Sequence, residues 1–318
     1  MKIRCKYIVL CVLLLTLLPH AEATYKVDGT PIVALKHDTI SGGVYLDGGH
    51  GIGSSPYAQS FSSVPANVVY ARMYVGIWGG NPDYTGTIET TVNGHTLGTL
   101  NLKGKADTNP NVMCTGFGVY LVTYDVPASY LNAGSNAATI TTAGDIDGRI
   151  YGVALAAVYE REGDPEVEYW LNDGHENLNG KNSHDECTTS FAAATSSNPD
   201  ASLTVAYLCG SYGEKDYLYI NDNQIGGEDV ADSMGDSASS FDIKTFDVKD
   251  HFDPAGNTLL FKRGDETTVH PFVTVLTLTS GGTPTPTPSP SEMKPDLKIT
   301  EIKVPDRVFA ENNNTIEV

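Results

Sequence analysis

The sequence predicts an all-β protein built from two tandem, jelly-roll-like β-sandwiches that arose by internal duplication. Three observations predict it. Short β-branched and aromatic runs recur along the chain, and "FVTVLTLT" (Phe272–Thr279) alternates with the period of two that marks a half-buried strand. Pro, Gly, Ser and Thr punctuate these runs, and no amphipathic helical pattern appears between them. Phrases also repeat in order: "YLDGGHG" (Tyr45–Gly51) returns as "WLNDGHE" (Trp170–Glu176), with His175 standing 125 residues after His50.

Residues 1–23 precede the fold. Lys2, Arg4 and Lys6 make a basic start, an apolar run from Tyr7 to Leu18 follows, and Ala21-Glu22-Ala23 is a small-residue cleavage signal. This is the pattern of a secretory signal peptide, so the mature chain is expected to start near Thr24, outside the cell, with no transmembrane segment. Without residues 1–23 the chain keeps 17 basic and 38 acidic side chains, a formal charge of −21 against −19 for all 318 residues. That charge repels nucleic-acid phosphates and anionic lipid, and it suits an extracellular surface or the binding of cations.

The first sandwich is expected over residues 24–162 and the second over 163–280. Beyond the Gly-His phrase, "VNGHTLG" (Val92–Gly98) is echoed by "INDNQIG" (Ile220–Gly226). "YDVPASYLNAGSN" (Tyr124–Asn136) is echoed by "FDVKDHFDPAGN" (Phe246–Asn257), and "VALAAVY" (Val153–Tyr159) by "VTVLTLT" (Val273–Thr279). Matches in one order with slowly drifting offsets mark a duplication, here with halves near 41–160 and 165–280. The repeat explains the two Gly-His turns as copies, with no chemistry required. Asn93-Gly94 favours a tight hairpin turn because both positions accept positive φ.

Residues 281–294 are a Thr/Pro linker, whose alternating prolines block helix and sheet pairing and keep it extended. Residues 295–318 read as two strands of a further module, too short to bury a core alone.

Several stretches carry a family resemblance: "GGVYLDGGHGIGSSPYAQSF", "ARMYVGIWGGNPDYTGTIETTVNGHTLG", "DTNPNVMCTGFGVYLVTYDV" and "GDIDGRIYGVALAAVYE". They resemble a domain-of-unknown-function family of secreted surface proteins, many from methanogenic archaea, over residues 30–280. The tail "PDLKITEIKVPDRVFAENNNTIEV" resembles the start of a CARDB module, a cell-adhesion-related immunoglobulin-like domain, cut short here. The resemblance implies a cell-surface setting, with envelope proteins or glycans as partners, and supplies no catalytic residue. It leaves the oligomeric state open.

Four sets of candidate residues follow. Acidic loops that could hold a structural calcium contain Asp107, Asn109 and Asn111, then Asp145 and Asp147, then Glu228, Asp229, Asp232 and Asp236. Calcium takes six to eight oxygens, which such loops supply, although Asp, Asn and Gly are equally turn residues. Trp78, Tyr84 and Trp170 are candidates to stack on sugar rings, with Tyr212 and Tyr217 near strand ends beside them; packing is the competing reading. Among Cys114, Cys187 and Cys209, the preferred disulfide is Cys187–Cys209, both on strands of one half, which leaves Cys114 free, buried or intermolecular. His50, His95 and His175 read as turn residues in preference to metal ligands. "CGSYG" (Cys209–Gly213) lacks the first glycine of a serine-hydrolase elbow, and no pair of carboxylates is marked out, so a non-catalytic protein is expected. The expected role is structural or adhesive, the alternative being a carbohydrate-binding module.

Overall fold

The computed structural model describes residues 24–195, 199–233 and 240–279. The signal-peptide, linker and CARDB-like segments lie outside these, as do Asp236 and the side chain of His50. Among the described residues no helix is long and apolar enough to cross a membrane.

The first half carries β1 (Gly29–Gly53), β2 (Tyr57–Val64), β3 (Val68–Trp78), β4 (Gly86–Val92), β5 (His95–Leu102), β6 (Val112–Thr115), β7 (Val119–Asp125), β8 (Gly134–Gly144) and β9 (Arg149–Glu160). The second carries β10 (Glu166–Glu176), β11 (Leu178–Asn179), β12 (Glu186–Phe191), β13 (Asp200–Leu208), β14 (Tyr217–Ile220), β15 (Asn223–Ile225), β16 (Phe241–Asp247), β17 (Asn257–Lys262) and β18 (Thr268–Thr279). The protein is an all-β sandwich fold, antiparallel in every named strand pair.

Strand order shows the duplication directly. One small sheet runs β2-β8-β4-β5 and the other β12-β17-β14-β15. In the large sheet, β1-β9-β3-β7 of the first half matches β10-β18-β13-β16 of the second. The turn chemistry is copied too. Asn93 Nδ2 donates to Tyr130 O and Asn136 Oδ1, while Asn221 Nδ2 donates to His251 O and Asn257 Oδ1. Both Asn93 and Asn221 sit at positive φ, 50° and 47°, the conformation that a short polar side chain tolerates.

The halves are joined through β1. Residues Gly29–Ser41 of β1 pair with β10, and from Gly42 onward the same strand pairs with β9. Gly42 has φ 150°, and a Cβ there would collide with Tyr159 O, so the crossing point needs glycine. The large sheet folds back on itself along this strand, and its two wings pack face to face.

The result is four layers and three cores. In β9, Val153, Leu155 and Ala157 point into the first sandwich, while Ala154 and Ala156 point into the layer between the wings. In β18, Leu276 and Leu278 face the second sandwich, while Val273 and Val275 face the same middle layer. Small residues let the wings approach: a Cβ on Gly152 would strike the Phe241 ring. Arg72 of β3 crosses this layer to Asp173 of β10, Nε to Oδ2 at 2.8 Å, and Tyr74 Oη donates to the same oxygen at 3.3 Å. Burial raises the Asp173 carboxyl, and Arg72 pulls it back.

The expected Cys187–Cys209 disulfide is absent, and all three described cysteines are free thiols. The reason is the two-faced sheet. Cys187 on β12 packs in the core of the second sandwich, whereas Cys209, just after β13, packs in the middle layer against the other face.

Candidate functional site

Where the wings part at one end of the middle layer, they leave a cleft of about 380 Å³. One wall comes from the first half: Trp78 at the end of β3, Tyr151 of β9, and Phe117 and Val119 at the β6–β7 turn. The other comes from the second half: Asn177, Asn179 and Lys181 after β10, Thr267, Thr268 and His270 at the start of β18, and Cys209 and Ser240. Trp78 and Tyr151 meet edge to face with ring centroids 6.3 Å apart. Phe117 is 47 % exposed, and Lys181 Nζ stands 4.8 Å above its ring. Burial pushes the Cys209 thiol up to about 12, so it is protonated and not a nucleophile at neutral pH.

The cleft floor is a fixed polar chain. Asn177 Nδ2 donates to Val27 O at 2.7 Å, which sets the amide orientation, and Thr268 Oγ1 donates to Asn177 Oδ1 at 3.1 Å. Thr268 Oγ1 also lies 3.2 Å from His270 Nε2. Behind His270 lies His175, with ring centroids 5.1 Å apart. His175 Nδ1 lies 3.1 Å from Met113 O. A carbonyl only accepts, so Nδ1 carries the proton and Nε2 is a buried lone pair without a partner. Burial lowers His175 to about 4 and His270 well below the usual imidazole range, so both rings are neutral.

The sugar-stacking candidates separate. Trp78 lines the cleft. Tyr84 is 46 % exposed and does not line it. Trp170 is no stacking platform: it is 1 % exposed, inside the second core, with the His37 ring stacked on it at 4.3 Å. The doubled phrase explains this, because Tyr45 and Trp170 are equivalent positions and each fills the core of its own sandwich.

The acidic candidates do not come together. Among the described residues no three His, Cys, Asp or Glu side chains form a metal-holding group. Asp107 is buried and accepts from Lys103 N and Asn109 N, and Asn109 Oδ1 accepts from Asn111 N, so this loop is held by its own turns. Asp147 pairs with Arg149 at 2.6 Å, Asp232 with Lys244 at 2.6 Å and Glu228 with Lys215 at 2.7 Å. Asp145 is exposed. Asp229 Oδ2 accepts from Gly213 N, and its Oδ1 is buried without a partner. His95 stacks on Tyr130 at 4.4 Å.

Sequence reasoning missed Phe117, Tyr151, Asn177 and Lys181 as cleft residues. Phe117 alone left a readable sign: it stands between two glycines in "TGFGV", where a turn aromatic has no strand face to pack on.

The sequence profile of the family described as "Protein of unknown function (DUF3344)" matches residues 24–279. No curated protein matches the sequence. Among solved structures, the chain is similar to an α-L-rhamnosidase of Streptomyces avermitilis complexed with L-rhamnose, at 10 % identity and a TM-score of 0.23. That match covers 82 % of this chain and 27 % of the enzyme, about a quarter of its length. It is also similar to the ANX2 ectodomain of Arabidopsis thaliana (9 % identity, 81 % of this chain, 100 % of that one, TM-score 0.26). The major capsid protein P2 of bacteriophage PM2 is similar at 11 % identity, over 75 % of this chain and 99 % of its own, with a TM-score of 0.21. The chain belongs to the DUF3344 family.

Proposed function

We propose that this member of the DUF3344 family is an exported, non-catalytic protein of the cell surface that adheres by holding a glycan in the cleft between its two halves. The observation that carries this reading is the cleft lining. An exposed Phe117 and the Trp78–Tyr151 pair offer apolar ring faces, while Asn179, Thr267 and Lys181 offer hydrogen-bonding groups around them. Sugars present an apolar face and a polar edge, and aromatic rings with polar neighbours match both. The described lining carries amides and hydroxyls in place of the paired carboxylates that glycoside hydrolysis uses, which favours holding a sugar over cutting it. The basic-apolar start of the chain and its acidic composition support export.

The test is retention of the purified chain on a panel of immobilised polysaccharides. Binding to at least one glycan, lost on Trp78→Ala and weakened on Phe117→Ala, is the expected result. No retention on any polysaccharide, or retention indifferent to both substitutions, sinks the reading.

A further inference from the structure

The cleft between the halves reverses the charge bias of the chain. Acidic residues outnumber basic ones by 39 to 20, yet no described Asp or Glu lines the cleft, and Lys181 is the one charged residue among the described ones that does. The lining imidazole of His270 is neutral. Lys181 is also unpaired. Lys105, Lys215, Lys244, Lys249 and Lys262 each meet a carboxylate within 3.0 Å, and every described arginine has one too. Lys181 has none among the described residues; its ammonium stands over the Phe117 ring instead. The acids next along the chain are engaged, Asp185 with Arg263 and Glu186 with Lys262.

The open groups around that cation are mostly donors. Both polar atoms of the Asn177 amide are taken, Nδ2 by Val27 O and Oδ1 by Thr268. Asn179 Oδ1 accepts from Lys181 N at 2.9 Å, a bond that also fixes the main chain beneath the ammonium. That leaves Asn179 only its Nδ2 hydrogens, which no described residue accepts. The indole N–H of Trp78 is likewise a donor without a hydrogen bond among the described residues. The Ser240 and Thr267 hydroxyls can serve in either sense.

A free cation beside free donors, with no carboxylate facing them, is complementary to an anion. The rings of Trp78, Phe117 and Tyr151 suit a sugar that carries it. We propose that the glycan held in the cleft is acidic, its uronic carboxylate or sulfate ester taken by Lys181 Nζ and Asn179 Nδ2. This rests on the cleft being a sugar site and adds the charge of the sugar. The chain's own negative charge does not forbid it. At physiological ionic strength, exposed charges more than about 8 Å apart are largely screened, so the ammonium in contact with the ligand decides.

The experiment is calorimetric titration of the full chain, at physiological ionic strength, with short oligosaccharides in matched pairs. One pair is oligogalacturonate and its methyl ester, and the other is a sulfated carrageenan oligosaccharide and its desulfated form. The charged member of at least one pair is expected to bind roughly fivefold tighter than its neutral twin, and which pair it is separates carboxylate from sulfate. Lys181→Met, which keeps the apolar stem of an exposed side chain, is expected to bind both members alike, and Lys181→Arg to keep the preference. Neutral members that bind as well as charged ones, with binding lost on Trp78→Ala, overturn the charge inference and leave the cleft a sugar site. A preference that survives Lys181→Met also overturns it. Binding to no member of either pair counts against the acidic sugar, and retention on neutral polysaccharides then decides whether the sugar site itself stands.

Discussion

Arg72 Nε and Asp173 Oδ2 lie 2.8 Å apart across the layer that joins the two halves, with only 11 % and 12 % of their side chains exposed. The guanidinium also donates to Asp125 and Thr123, so one side chain ties β3 and β7 of one wing to β10 of the other. Removing one partner leaves the other charge buried and unpaired. Arg72→Ala is therefore expected to cost about 3–5 kcal/mol in chemical denaturation, and an Arg72→Met/Asp173→Leu double variant to recover part of it. A loss under about 1 kcal/mol for the single variant would show that the pair does not hold the wings.

The two tryptophans should behave in opposite ways. Trp170→Ala empties the second core and is expected to lose about 3–5 kcal/mol, with glycan binding per folded molecule unchanged. Trp78→Ala, on the half-buried cleft wall, is expected to cost far less stability and to lose binding. Denaturant curves and pull-downs on the same preparations separate the two effects.

Acid should weaken the middle layer. His175 is held near 4 by burial, against about 6.5 in the unfolded chain. Between these values the unfolded state takes up a proton that the folded state refuses. Stability is therefore complete above about pH 6.5 and falls as the pH drops towards 4, by roughly 3 kcal/mol for this group. The groups facing the ring are the Met113 carbonyl and His270, which is lowered for the same reason and carries the same sign. Asp216, raised to about 6, has the opposite sign: its stabilisation is lost as the pH rises through that value. The measurement is the unfolding free energy at pH 4.5 and 7 in wild type and His175→Gln, with the variant expected to show the shallower slope.

Asn93 and Asn221 should be equivalent in energy as they are in geometry. Each makes two side-chain donations and accepts one main-chain N–H, from Ala137 and Thr258 respectively, while holding a left-handed backbone. Asn93→Ala and Asn221→Ala are each expected to cost about 4–5 kcal/mol, counting about 1 kcal/mol for each of the three bonds and 1–2 for the strained backbone. Unequal losses would show that the copied turns have diverged in their contribution.

Much of this was legible in the sequence, and the rest failed for identifiable reasons. The echoes "VNG"/"IND" and "GSN"/"AGN" are the residues of the paired Asn networks, so the duplication could be read because the copies kept the side chains that fix their turns. The face-to-face packing of the wings left a fainter sign. "VALAAVY" and "FVTVL" are apolar on both faces, the pattern of a strand covered on two sides. The site was harder to read, because its walls come from opposite halves and only the fold at β1 brings Trp78 and Lys181 to one cleft. The cysteine pairing failed for the same reason, since chain position does not say which face of a buried sheet a side chain takes.

The position of β18 has a mechanical consequence. It is the last strand among the described residues, yet it lies between β10 and β13, and β10 is in turn paired to β1. Tension applied at Thr279 along the strand therefore loads two antiparallel ladders in shear at once, and their bonds must slide together to give way. Force entering the fold at Thr279 is thus spread through β10 into β1, so both halves resist it as one body.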